Sequence, residues 1–219
     1  MMLSVENAHV KIGAIVALRG FSLSLGEGEM VGLTGRNGAG KTTFMKAVMG
    51  LHKLQQGGVS LDGRDLTKVA IHERAALGIG YMPEDRALIP DLTVEENILL
   101  PTWVTKSLDG PARLETVYEI LPELKEMRAR KALLLSGGQQ KLVALARALA
   151  VGTRLLLLDE PFEGVAPALS QRLADVIGGL RGHNMAVILS QSELNHSFDI
   201  FDREFVIERG ANMAAKENA

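Results

Sequence analysis

Three short segments of this chain carry residue types at spacings suited to holding and cleaving a polyphosphate. The first is the run Gly35, Arg36, Asn37, Gly38, Ala39, Gly40, Lys41, Thr42, which fits G-x-x-x-x-G-K-[ST] between an apolar strand and a helix. Its glycines let backbone N–H groups turn inward around a phosphate, and the helix N-terminus adds partial positive charge. Lys41 can reach the β- and γ-phosphates of a nucleotide. The Thr42 hydroxyl is a hard-oxygen ligand for Mg2+, and Thr43 is placed to bond the α-phosphate. A glycine-rich turn without a ligand is the alternative; the strand, loop, Lys-Thr and helix in this order argue against it.

The second is Leu155-Leu-Leu-Leu-Asp159-Glu160, an apolar strand ending in two carboxylates. Neighbouring side chains on a strand point to opposite faces, so two adjacent acids can do different work. Asp159 suits Mg2+, directly or through water. Glu160, one step beyond the strand, can orient or deprotonate an attacking water. Taken alone, the pair also reads as two solvated acids at a strand end. The third is Leu135-Ser136-Gly137-Gly138-Gln139-Gln140, ahead of a long apolar-periodic helix. Ser136 is a good N-cap, and the glycines leave backbone donors beside a helix N-terminus, a second anion site in one chain. An ordinary capped helix is the alternative reading of that segment.

The elements that must hold these groups are legible in outline. Leu3–Val10 and Phe21–Leu25 partly alternate as half-buried antiparallel strands do, 26–29 is a turn, and Met30–Thr34 is a short apolar strand. A helix runs from about Lys41 to Gly50, with Gly50 at its C-cap. Gly57–Leu61 and Asp62-Gly63 suggest a further hairpin, and Ile79–Met82 a strand stopping at Pro83. Thr93 and Glu96 form a capping box. Ala112–Arg130 is helix-favouring with Pro122 inside it, so 85–150 reads as a mostly helical insert. Arg154–Asp159 is a strand buried on both faces, followed by a helix over Ala168–Arg181 and strands at Ala186–Ser190 and Glu204–Glu208. Ala211–Ala219 reads as a frayed polar tail.

Composition narrows the function classes. The 219 residues are 47% hydrophobic and 23% charged, which suits one well-cored domain. A net charge of −2 offers no case for nucleic acid or anionic lipid, and the absence of cysteine excludes disulfides and thiolate metal sites. The N-terminus lacks the layout of a signal peptide, and no apolar run reaches the ~20 residues of a membrane helix. A cytoplasmic location is expected.

With the phosphate loop, Leu135–Gln139 and Asp159-Glu160 in this order, nearly the whole chain resembles the nucleotide-binding subunit of an ABC transporter. That resemblance implies a single α/β P-loop domain over 1–219: an ATPase core at 1–84 and 151–219 with an antiparallel β edge, and a helical signature subdomain at about 85–150. It implies Mg·ATP hydrolysis by a head-to-tail dimer, each ATP lying between one subunit's loop and the other's Ser136, Gly137, Gly138 and Gln139. A second ATPase subunit of the same or a sister chain, membrane permease subunits and a periplasmic or extracellular solute-binding protein are the implied partners, and nucleic acid is not among them. The subunit is expected to lie at the inner face of the membrane through the permease.

Tyr81-Met-Pro-Glu84-Asp-Arg86 occupies the family's Q-loop with Glu84 in place of glutamine; Glu160-Pro-Phe-Glu-Gly-Val-Ala-Pro167 departs from the usual next loop; and Gln191 stands where a switch histidine is normal. Together with Leu92–Ile98, this set resembles the shorter ATPase subunit of branched-chain amino-acid importers and their urea or amide relatives. Glu84 is expected to join Thr42 and Asp159 as a metal ligand, which would make closure strongly Mg2+-dependent; an exposed turn acid in the loop after Pro83 is the alternative. Gln191 bonds the γ-phosphate but takes up no proton, so turnover lacks a histidine-like pH step from that position. The family's adenine-stacking aromatic corresponds to Ile12; Lys11, Ile12 and Val16 offer apolar contact there but no ring. Leu92–Thr105, including Trp103, is expected near the permease; Trp103 as a core residue is the alternative. The five histidines show no metal-ligand spacing. Rival readings are an exporter or lipid-extraction ATPase, a low-turnover ATP switch, and a soluble ABC ATPase acting on ribosomes. The last usually carries two such domains or coiled-coil inserts.

Overall fold

The computed structural model describes residues 1–192 and 200–213, without the side chains at 182 and 183. The first half begins with β1 (Leu3–Ile12), β2 (Ile15–Leu25), β3 (Met30–Thr34), α1 (Lys41–Val48), β4 (Gln56–Leu61) and β5 (Arg64–Asp65). It continues with α2 (Ile71–Ala76), β6 (Ile79–Met82), α3 (Val94–Val104), α4 (Gly110–Ile120) and α5 (Glu123–Glu126). Then come α6 (Gly137–Val151), β7 (Leu155–Asp159), α7 (Pro167–Gly179), β8 (Ala186–Gln191), β9 (Arg203–Glu208) and β10 (Ala211–Asn212). One sheet is antiparallel, in the order β2-β1-β4-β5. The other runs β10-β9-β3-β8-β7-β6 and is parallel except for β10.

In the parallel sheet, β7 and β8 separate two apolar clusters. Leu155, Leu157, Ala186 and Ile188 pack with Phe44, Met45 and the antiparallel sheet. Leu156, Leu158, Val187 and Leu189 pack with α6 and the helical insert. An all-leucine strand hides this alternation in the sequence, because both faces are buried. It fixes which way the acid at the strand end points: Asp159, two residues beyond Leu157, faces α1.

The insert has no separate core. Ile98 on α3, Val117 on α4 and Leu145 on α6 belong to the cluster that holds Leu156 and Leu158. The buried Asn97 ties the loop before α3 to the helix, accepting from Ile89 N at 2.8 Å and donating to Thr93 O at 2.9 Å. Arg113 donates to the last carbonyls of α6, Leu149 O at 2.6 Å and Ala150 O at 3.0 Å.

Several expectations are corrected. Ala112–Arg130 is not one helix: α4 stops at Ile120 and Pro122 caps the short α5, since a proline ring clashes with the carbonyl four residues back. α2 lacks an apolar stripe, and its buried Arg74 makes it a helix with a purpose. The guanidinium donates to Leu66 O at 2.5 Å and Ala47 O at 3.4 Å, and also to Val48 O, capping the end of α1. Ala211 and Asn212 pair with Glu208 and Ile207 rather than fraying; the rest of that tail, 214–219, lies outside the described residues. The expected hairpin is present, with Asp62 and Gly63 at φ 48° and 75°, the positive pair a two-residue turn requires.

Gly80 on β6 touches α6 with no room to spare: an added methyl would lie 2.2 Å from Ala148 O and 2.9 Å from Leu156 Cδ2. Gly80→Ala is expected to lower unfolding free energy by about 1–3 kcal/mol, the usual cost of overpacking. Urea denaturation checks this, and an unchanged midpoint would refute the packing argument.

Candidate functional site

Parallel pairing brings the C-terminal ends of β3, β8 and β7 to one edge, with Thr34 opposite Gln191 and Asp159 opposite Ser190. In open α/β sheets, ligands bind outside this edge. The loop 35–40 leaves β3 there and ends at Gly40, whose φ of 117° is open to glycine and closed to other residues, just as α1 begins. A cleft of about 480 Å3 follows the loop. Asn37, Gly38, Gly40, Lys41, Thr42 and Thr43 form one wall, Ile15, Val16, Ala17 and Arg19 of β2 another, and Glu84, Glu160, Glu163 and Arg209 complete it.

Lys41 is buried, and its ammonium donates to Gly35 O at 2.7 Å and Arg36 O at 3.2 Å while pairing with Glu160 Oε1 at 3.0 Å. The first and second motifs therefore meet in a direct ion pair. Asp159 is fully buried and receives Ser190 Oγ at 2.7 Å, Tyr81 OH at 3.3 Å and the Thr42 hydroxyl. Burial pushes its carboxyl up despite those bonds, and pushes the Tyr81 phenol far above its ordinary value. Among the described residues, the side-chain hydrogen-bond partners of the Asp159 carboxyl are neutral hydroxyls. A buried carboxylate among neutral oxygens, with Thr42 beside it, fits a hard divalent cation.

Glu160 and Glu163 form a second pair. Burial pulls Glu160 up, but the hydrogen bond with Glu163 and the Lys41 ammonium outweigh it and hold Glu160 below the ordinary glutamate range. The same hydrogen bond, with burial, raises Glu163 to about 7. The pair titrates as a unit, with a shared proton favoured on Glu163 and disfavoured on Glu160.

Ser136–Gln139 lies away from this cleft and lines none of it. Ser136 and Gln139 close a capping box on α6, with Ser136 Oγ accepting from Gln139 N at 3.3 Å and Gln139 Oε1 accepting from Ser136 N at 3.0 Å. Arg86 reaches this end of α6, donating to Gln140 Oε1 at 2.9 Å with its guanidinium 3.6 Å from where a Gly137 side chain would start. Arg147 in turn donates to the Arg86 and Ala87 carbonyls at 2.5 and 2.6 Å, at two residues with φ of 64° and 45°. The loop carrying Glu84 is thus fastened to α6.

Glu84 is exposed and reaches the cleft. Gln191 does not line it: the residue is buried, with an Oε1 that has no hydrogen-bond partner among the described residues. Ile12 is likewise not on the wall; Ile15 and Val16 across the β1–β2 turn take that place. Sequence reasoning missed Glu163, Arg19, Arg209, Tyr81 and Ser190. Glu163, three residues past Glu160, was open to detection as a third acid in the same loop; the others are joined only by folding. Among the described residues no cluster of three or more His, Cys, Asp or Glu is arranged as a metal site; His196 lies outside them.

Several known proteins are similar to this chain in sequence and fold. The ABC transporter family matches residues 18–163. The lipopolysaccharide export system ATP-binding protein LptB of Haemophilus influenzae is 34% identical over 97% of this chain and 89% of its own length. The high-affinity branched-chain amino acid transport ATP-binding protein BraG of Pseudomonas aeruginosa is 34% identical over 95% of this chain and 90% of its own. Among solved structures, a nucleotide-free ATP-binding cassette of an ABC transporter superimposes with a TM-score of 0.83 at 27% identity, covering 97% of this chain and 90% of that one. A dimeric ATP-binding cassette bound to ADP and Pi gives 0.84 at 25% identity, covering 97% of both.

The shared proton makes a pH prediction. A carboxyl raised from 4.5 to about 7 contributes stability that is fully present below pH 4.5 and lost as pH rises through about 7. Glu163→Gln keeps a hydrogen-bond donor and removes the titration. In nucleotide-free buffer with EDTA, its melting temperature should match wild type near pH 4.5 and exceed it by pH 8. Melting curves that run parallel across this range would rule out the shared proton.

Proposed function

This chain belongs to the ABC transporter family of ATPases, and from that premise we propose that it powers solute transport as one of two paired ATPase subunits beneath a separate membrane permease. It hydrolyses ATP as its family does. In this reading the permease is formed by separate chains and the subunit lies against its cytoplasmic side; among the described residues no helix is long and apolar enough to cross a membrane.

The observation that carries the residue roles is the ion pair between Lys41 and Glu160, which joins the phosphate loop to the end of β7. One ammonium cannot serve Glu160 and the β- and γ-phosphates together. Phosphate oxygens replace Glu160 as its anion when ATP enters, and the freed carboxylate accepts a hydrogen bond from the attacking water. Loop amides from Gly35 to Gly40 and the N-terminus of α1 hold the phosphates, with Thr43 near the α-phosphate. Thr42 and Asp159 would hold Mg2+, with Glu84 as a further oxygen ligand, and the ion would supply positive charge against the polyphosphate. Gln191 requires a shift out of its buried position to reach the γ-phosphate, and its unpartnered Oε1 leaves it free to do so. Ile15 and Val16 supply an apolar surface for the base without an aromatic ring.

Because Ser136–Gln139 lines no part of this chain's own cleft, it serves the nucleotide of a partner, and a head-to-tail dimer completes both sites. Leu133 and Leu134, both more than half exposed beside it, suit such a contact. For the permease, a groove of about 420 Å3 between core and insert is walled by Met49, Leu51, Tyr81, Pro83 and Pro101. Trp103 and Val104, 56% and 75% exposed, extend apolar surface at the end of α3, so Trp103 is not a core residue.

For the cargo, the loop Glu160–Pro167 and the similarity to BraG favour import of an amino-acid-type solute delivered by a binding protein. The equal identity to LptB supports a second reading, lipopolysaccharide export.

Glu160→Gln is expected to lower ATP turnover at least ~100-fold, the range a positioned base contributes. With saturating Mg·ATP the variant should accumulate as a dimer with itself or its sister chain. A monomer by size-exclusion chromatography under those conditions, sister chain included, would refute the paired-site mechanism. Isolating the permease bound to this subunit, and assaying it for amino-acid uptake and lipopolysaccharide release, separates the two cargo readings.

A further inference from the structure

Glu160 adopts a left-handed backbone conformation, φ 48°, which side-chain-bearing residues rarely take and which persists only where surroundings enforce it. Three bonds hold this peptide: its carbonyl accepts from Glu163 N at 3.2 Å, within the same loop, and two others reach it from distant elements. Its N–H donates to Ser190 Oγ at 3.0 Å, from the core strand β8. Its carbonyl accepts from Lys141 Nζ at 2.7 Å, from α6. Lys141 is 2% exposed and, among the described residues, forms no ion pair. Its ammonium faces Arg86 from the loop before α3 and, with opposite sign, Glu163, Glu160 and Glu84. Burial and the Arg86 charge lower its pKa to about 8. A buried ammonium spent on one carbonyl is poor economy for stability alone, where an apolar side chain of similar length would pack without desolvation.

We infer that Lys141 is a positioning residue for hydrolysis, making the orientation of the Glu160 carboxylate depend on where the signature helix α6 lies. The inference rests on the reading of Glu160 as the group that polarises water. α6 begins at Gly137, so the helix end that contacts a partner's nucleotide and the ammonium that steadies this chain's own glutamate share one rigid rod, within its first two turns. Displacement of α6 moves Nζ, and with it the Glu160 peptide. The partner's ATP, held at Ser136–Gln139, thereby acts on the glutamate serving the other ATP of the dimer. Lys41 holds the Glu160 side chain and Lys141 its backbone, so the two ammonium groups act on separate parts of one residue.

The test measures steady-state and single-turnover ATP hydrolysis of Lys141→Met and Lys141→Gln, each in the wild-type and Glu160→Ala backgrounds, with melting temperatures alongside. Lys141→Met removes the donor at nearly constant volume; its kcat should fall at least tenfold with KM for Mg·ATP within twofold. Lys141→Gln retains a shorter neutral donor and should recover threefold or more of that loss. In Glu160→Ala, which by itself abolishes most turnover, Lys141→Met should change the residual rate less than twofold, because the group it positions is gone. A kcat within twofold of wild type, a glutamine variant no better than methionine, or an equal tenfold loss in both backgrounds each overturns the inference. Should Lys141→Met fail to fold, Lys141→Gln compared across the two backgrounds decides by the same criterion. Intact turnover in Glu160→Ala overturns the reading of Glu160 beneath it, whereas loss there with full activity in Lys141→Met overturns this inference alone.

Discussion

The molecule is organised around a charge-balance constraint at the carboxyl edge of its parallel sheet. Asp159 and Glu160 are adjacent acids, both buried, and adjacent buried negative charges repel strongly where water cannot screen them. The structure resolves this by giving each a different environment. Asp159 points toward α1 among neutral hydroxyls. Glu160 turns away through a left-handed peptide into the ammonium of Lys41 and the carboxyl of Glu163. That divergence lets one acid suit a metal and its neighbour suit a water molecule.

Holding the divergence in place takes most of the fold. Strands β7 and β8 are buried on both faces, so the edge cannot rotate without breaking two apolar clusters at once. Arg74 fixes the far end of α1 and Arg113 the far end of α6, each by hydrogen bonds to terminal carbonyls. The two helices proposed to face phosphate with their N-termini are thereby anchored at their C-termini. Arg147 fastens the loop bearing Glu84 to α6 in the same fashion. Each of these arginines donates to backbone carbonyls, which a planar fork of donors does well.

The helical insert and the core share one apolar cluster, yet the N-terminus of α1 borders the cleft and that of α6 does not. On the proposed reading a single chain presents half of two sites, and pairing would enclose a polyphosphate between them, with the exposed Leu133 and Leu134 beside the half to be covered. The groove between core and insert sits where relative movement of the two would change its width, which suits a partner that must be moved.

Much of this was written in the linear chain. Strand β3, the glycine-rich loop, Lys41-Thr42, the capping boxes at Thr93 and Ser136 and the terminal acids of β7 are local patterns, and each depends on residues within a few positions of one another. The family resemblance followed from their order. What only the tertiary structure decided are the relations between distant segments. Four adjacent leucines give no periodicity to reveal that Asp159 faces α1. Nothing near Lys141 announces that its ammonium ends on the Glu160 carbonyl, or that Ser190 holds the other side of the same peptide. Ile15 joins Val16 on the cleft wall where Ile12 was expected, because the β1–β2 turn, not sequence correspondence, sets which side chains face the cleft. Gln191 went inward for a similar reason: strand register buried it. Local pattern records which groups are available; close packing of elements far apart in the chain decides which of them meet.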